Sequence, residues 1–209
     1  LGGQLGGILG TLPLTVVPAS LGLFHADPRA DVFATAMSAI PLGMLLNAAF
    51  LGVWRVWPIR AGDRSTALME TLGLSLGFWI IAALFLVVVR EALSPNMKRD
   101  VLVGVVALLT TVVLGVRACR NAPPAPKGNR RVGFRVLLLR GLGAGAAIAC
   151  GVALGRAGWM TAAGMASVFP AIFLTSMLAT WMAQGRAVPI GASGPMMLGS
   201  VAVSIYALV

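Results

Sequence analysis

Long apolar segments recur along this chain and dominate what it can fold into. A helix rising 1.5 Å per residue needs about 20 apolar residues to cross a hydrocarbon layer of about 30 Å. Seven segments meet or approach that length, over residues 3–24, 33–54, 67–89, 101–117, 134–155, 161–183 and 190–209. Of the 209 residues, 58% are hydrophobic and 11% charged, where a soluble domain carries about a quarter charged residues. A water-soluble fold has too little interior to hide that much apolar surface. The expected architecture is all-α, a polytopic transmembrane helical bundle of about seven spans.

The charges lie between these segments. Sixteen Lys and Arg face six Asp and Glu, a formal net charge of +10. On a soluble chain this would point toward nucleic acid. Here the cations flank apolar spans, so the expected partner is a bilayer with anionic headgroups, and no nucleic acid. The connections after the second, fourth and sixth spans hold ten basic residues, against five in the others. The excess of positive charge in cytoplasmic loops then places the N-terminus and the loop 117–135 on the cytoplasm-like side. A homo-oligomer or a larger membrane complex is compatible with the same surface. The chain opens on Leu1 rather than methionine and its last span runs to Val209, so sequence beyond either end is compatible with this reading.

The stretch "APPAPKGNRR" is the clearest internal boundary, because proline-rich sequence resists helix formation and acts as a stiff spacer. It divides residues 1–90, read as a first three-span unit, from residues 134–209, read as a second. Residues 91–133 supply a connecting span and the basic linker. The two units align without a gap over residues 37–54 and 166–183. Ser38 then pairs with Ser167, Pro41 with Pro170 and Asn47 with Ser176, each 129 residues apart. The following spans share "LG" at 72–73 and 198–199. Internal repeats of this kind often frame a substrate site in membrane transporters, although apolar Ala/Leu-rich helices also align by chance.

The stretch 165–185, "MASVFPAIFLTSMLATWMAQG", is apolar yet carries Ser176, Thr180 and Gln184 at helical spacing. That face is expected to point into the protein. Ser193, Met197, Ser200 and Ser204 share a face of the last span, and Gln4, Thr11 and Thr15 a face of the first. Such stripes can line a polar path, or each hydroxyl can bond a carbonyl of its own helix. Asn47 and Gln184 are the stronger candidates, because an amide has more donors and acceptors to satisfy. Pro13, Pro18, Pro41, Pro170 and Pro195 fall in or near spans. Each removes a donor and frees a carbonyl about one turn earlier, which in lipid requires a partner or a cavity. Glycines four apart in the first and fifth spans (Gly2, Gly6 and Gly10; Gly141 and Gly145; Gly151 and Gly155) predict close helix contacts and a central place for both spans.

Two ionisable groups fall inside spans: Glu70, one turn into the third, and Arg140, two turns into the fifth. Groups so placed are functional candidates, or they snorkel to the headgroups. The ten methionines suit gap-filling between helices better than soft-metal ligation. One histidine, His25, and two separated cysteines, Cys119 and Cys150, offer no metal set and no nucleophile with a base. No catalytic residue, metal or cofactor is assigned.

The segment "GMASVFPAIFLTSMLATWMAQG", followed by "GASGPMMLGSVAVSIYAL", resembles the small bacterial inner-membrane proteins of the GlpM-like type. These have a Gly-rich first span, an apolar second span with F-P-x-x-x-L and a small-residue third span. The resemblance covers residues 136–209 and, through the repeat, parts of 1–90, while the longer chain and the basic linker depart from it; it implies a compact helical membrane unit with a transport role. It transfers no catalytic residue. The expected function is a secondary transporter or channel-like protein for a small polar solute or ion. Its path would be lined by Ser38, Pro41, Asn47, Ser167, Pro170, Ser176, Thr180, Gln184, Ser193 and Ser200. The alternative is a non-catalytic accessory subunit of a larger membrane complex.

Overall fold

The structure, a computed structural model, describes residues 15–57, 63–93, 96–121 and 133–209. These form eight helical segments and, among the described residues, no strand. They are α1 (Val16–Ala26), α2 (Ala30–Val56), α3 (Arg64–Ala92), α4 (Met97–Arg120), α5 (Phe134–Arg156), α6 (Met160–Ser167), α7 (Ala171–Gln184) and α8 (Ala187–Leu208). Helices α6 and α7 are two halves of one apolar stretch interrupted at Pro170. Counted that way, six helices among the described residues are long and apolar enough to cross a membrane, and α1 as described has 11 residues. The chain is therefore a helical bundle with the character of an integral membrane protein. Residues 1–14, which hold Gln4, Thr11, Pro13 and the first glycine series, lie outside the described residues, as does the linker 122–132.

The helices run up and down, so the connections gather at two ends. The basic end carries the termini around Trp57, Asn121 and Arg186. The opposite end carries those around Asp27, Arg90 and Arg156. Local chemistry fixes several boundaries. Asp63 caps α3 by accepting from the Ser65 and Thr66 amides, and Asn96 caps α4 by accepting from the Arg99 amide. These donors, Thr66 foremost, hold the Asp63 carboxyl below its usual range. At the far end of α4, Arg55 donates to the carbonyls of Ala118, at 2.8 Å, and Asn121. A cation is favoured at a helix C-terminus, where carbonyls lack partners. Gly185 ends α7 with φ +85°, which a side chain would strain.

Helix α2 is the axis of the bundle. About 78% of its apolar window is buried, against 6% for α5. It packs against α3, α4, α6 and α8. Its approach to α6 is close enough that a Cβ on Gly164 would sit 2.0 Å from the Ala36 carbonyl oxygen. Helices α4 and α8 meet similarly, Gly194 facing the backbone at Ala118 and Cys119. The expectation of a central fifth span is corrected here. Helix α5 lies at the edge, touching α1, α6 and α7. Gly151 does face α6, 2.9 Å from the Ala163 carbonyl oxygen when given a Cβ, but Gly141 and Gly145 face open space. Small residues show where a backbone can approach another, not how many neighbours surround the helix.

Candidate functional site

The break between α6 and α7 is built around one missing donor. Pro170 has no N–H, so the helix cannot run through it on regular bonds. Phe169 instead bonds the Ala166 carbonyl at 3.0 Å, and α7 restarts at Ala171. The Val168 carbonyl, left over at the break, accepts from the Asn47 Nδ2 of α2 at 2.8 Å. The Asn47 Oδ1 in turn accepts from the indole N–H of Trp79 on α3, also at 2.8 Å. Asn47 is 2% exposed. One amide thus uses both its ends to join three apolar segments where water is scarce. Trp79 is held further by an edge-on contact with Phe169, ring centres 5.1 Å apart. Beside this node lies a cavity of about 50 Å³, lined by Asn47, Ser167, Val168, Thr15, Met44 and Val203 among others. That is room for one or two waters.

A second polar node sits toward the opposite end. Arg90 of α3 and Asp100 of α4 form an ion pair at 3.2 Å, each side chain about 10% exposed. Arg90 also donates to the Ser38 hydroxyl and to the Thr35 carbonyl of α2, and Arg99 reaches Asp100 at 3.1 Å. Three helices are tied by one carboxylate and one guanidinium, and removal of either partner would strand a buried charge. Beside it opens a groove of about 700 Å³ between α1, α2, α4 and α8. Ser38, Met97, Ala202 and Tyr206 line it, and Tyr206 of α8 shares a 2.9 Å hydrogen bond with Ser20 of α1. The groove and the small cavity share α2 and α8; Thr15, just before α1, also reaches the cavity, which α5, α6 and α7 otherwise line, further from the opposite end.

The remaining sequence candidates are dispersed. Ser167 bonds the Gly164 carbonyl and lines the cavity. Pro41 is fully buried inside a continuous α2, packed toward Gly104 of α4. Ser193 and Ser200 lie buried on α8, bonded to the carbonyls of Ile190 and Met197. Ser176 and Thr180 are half-buried and bond carbonyls one turn back. On α7 the fully inward face is Phe173, Met177 and Trp181, about 100° around the helix from the Ser176–Thr180–Gln184 stripe. The Gln184 Oε1 is buried without a hydrogen-bond partner. Glu70, at the basic end, accepts from the Trp57 indole at 3.1 Å. Arg140 is half-buried on α5. The sequence pattern points to Asn47 and Ser38 but not to Trp79, Arg90 or Asp100. The mixed charges of "REALSPNMKRD" were the available signal for the last two.

The chain matches no family model, no curated protein and no solved structure.

Proposed function

We propose that this integral membrane protein is a transport protein, a secondary transporter or channel-like path for a small polar solute or ion. The solute would enter the groove between α1, α2 and α8 and reach the Asn47 cavity. The observation that carries this reading is the broken helix inside the membrane, whose free Val168 carbonyl meets an amide side chain beside a cavity. Broken helices with exposed backbone carbonyls are how transporters present polar groups at the midplane. The loop charges support a cytoplasm-like side for the basic end and the N-terminus. The reading includes the 129-residue repeat, the likeness to GlpM-like proteins and a bilayer of anionic lipid as partner. Groove positions support the repeat. Phe33 and Met37 line the α1–α2–α8 groove, and Ala162 and Ala166, 129 residues on, line a second groove between α3 and α5. Ile205 and Tyr206 correspond likewise to Trp79 and Ile80, at the 126-residue offset of the "LG" pairs.

A non-catalytic subunit of a larger membrane complex is the second reading. What favours it is that the hydroxyls of Ser38, Ser167, Ser176, Thr180, Ser193 and Ser200 all bond carbonyls of their own helices. Reconstitution separates the two. Liposomes carrying the purified chain should pass urea, glycerol or potassium faster than protein-free liposomes, and Ala202→Trp, which plugs the groove mouth, should remove the difference. Flux that survives Ala202→Trp refutes the path. No flux, together with obligate co-purification of other polypeptides, favours the subunit.

A further inference from the structure

Helix α7 is held between two joints. At its start the chain leaves regular helix over Val168–Pro170, and at its end Gly185 turns with φ +85°. Joints of this kind, at the ends of an element, absorb the backbone rotation of a hinged segment. The α7 backbone scarcely approaches α2, and large side chains span the distance instead. Phe173, Met177 and Trp181 recur at i, i+4 and i+8 on α7 and pack in one cluster with Phe50, Leu51 and Trp54 of α2. The Trp54 and Trp181 rings meet edge-on, centres 5.8 Å apart. Phe173 lines the Asn47 cavity, and Trp181 stands eight residues on, roughly 12 Å nearer the basic end. This apolar plug therefore fills the stretch between the cavity and the basic end.

The outer end of the plug is left polar and dry. The Trp54 indole N–H, the Gln184 Oε1 and the Arg186 Nε are buried and, among the described residues, lack a hydrogen-bond partner. Trp54 is 1% exposed. Gln184 stands one turn beyond Trp181, and the Arg186 Nη2 donates at 2.9 Å to the carbonyl of Trp57, one turn beyond Trp54. Each dry polar atom carries its full desolvation penalty, which folded proteins normally avoid. A swing of the far end of α7 away from α2 would admit water to all of them together. Apolar packing closes the plug, and these polar atoms oppose the closure.

We infer that α7 is the gate at the basic end of the solute path, closed in this structure by the Phe50, Trp54, Met177 and Trp181 plug and opened by rotation about the Val168–Pro170 joint. The gate presupposes the transport path proposed above, but its opening is readable without any flux. In a background of Cys119→Ser and Cys150→Ser, Met177→Cys in oriented membranes would be exposed to a membrane-impermeant thiosulfonate from the basic end. It should react, more slowly than Val56→Cys at an exposed position of the same end. Trp181→Ala, which empties the plug, should speed that reaction about tenfold or more, and Gln184→Met, which removes a dry acceptor from the closed state, should slow it about tenfold. Neither change should alter the rate at Val56→Cys. A Met177→Cys that never reacts from the basic end in the unaltered plug would overturn the gate, as would a rate unmoved by Gln184→Met. Rates that follow both variants while liposomes carrying the chain stay sealed would refute the transport path instead and leave α7 a moving helix.

Discussion

Asn47→Leu replaces the amide with a side chain of the same branching and leaves two groups behind: the Trp79 indole N–H and the Val168 carbonyl, both now without their 2.8 Å partners. A buried polar group left unpaired costs about 1–3 kcal/mol in a water-soluble protein. Side-chain hydrogen bonds between membrane helices average ~0.6 kcal/mol and reach ~1.7 kcal/mol, because the unfolded chain in the bilayer finds partners too. Two such bonds set the expected loss for Asn47→Leu at about 1–3 kcal/mol. The assay is unfolding in mixed micelles titrated with a denaturing detergent and followed by far-ultraviolet circular dichroism. A double-mutant cycle isolates the indole bond. Asn47→Leu and Trp79→Phe should together cost less than the sum of the two alone, by at least ~0.6 kcal/mol. Losses that add to within ~0.3 kcal/mol would show that Asn47 and Trp79 do not depend on one another, and the account of the node would fail.

Gly164→Ala drives a methyl group against the Ala36 backbone, which cannot rotate aside, and should destabilise by about 1–3 kcal/mol in the same assay. Gly145→Ala faces open space and should stabilise α5 by up to ~1 kcal/mol. Asp100→Asn strands the buried Arg90 and should cost about 3–5 kcal/mol, much of it regained when Arg90→Met is added. Asp63 titrates below the usual aspartate range in the folded chain, so its stabilisation of α3 is fully present above the unfolded value and disappears as pH falls through the lowered one. Protection of the first-turn amides of α3, relative to their intrinsic exchange rate at each pH, should therefore fall in acid, and Asp63→Asn, which still caps but does not titrate, should flatten that dependence.

The apolar runs were legible because a bilayer imposes length and composition on each span separately. What depends on distant segments meeting was not. Pro41 and Pro170 sit in the same S-x-x-P pattern, yet α2 continues through the first while α6 and α7 part at the second. The local sequence carries no reason for the difference. What distinguishes the second is a partner for the carbonyl left over at the break, the Asn47 amide, which reaches Val168 from 121 residues away. Asn47 was recognisable as an amide with much to satisfy, but its partners were not, since one is a backbone carbonyl and the other an indole. Ser176, its aligned counterpart, bonds the Ile172 carbonyl at 2.6 Å and, among the described residues, joins no other helix. Glycine spacing misleads for the same reason. Gly141 and Gly145 have the pattern of a contact, while the tightest crossing uses Gly164, which has no glycine four residues away on α6.

The proposed path is tested most directly by asking whether water reaches it. In a background of Cys119→Ser and Cys150→Ser, single cysteines would replace Ala202 and Ala34 at the groove and Met44 at the inner cavity. A membrane-impermeant charged thiosulfonate would then be applied to oriented membranes from each side. The account predicts fast modification at Ala202→Cys and Ala34→Cys from the opposite end alone, and slower modification at Met44→Cys from that same end. Protection of all three sites, while a cysteine in the exposed Asp27–Arg29 turn reacts, would mean that lipid fills the groove and that no solute path begins there.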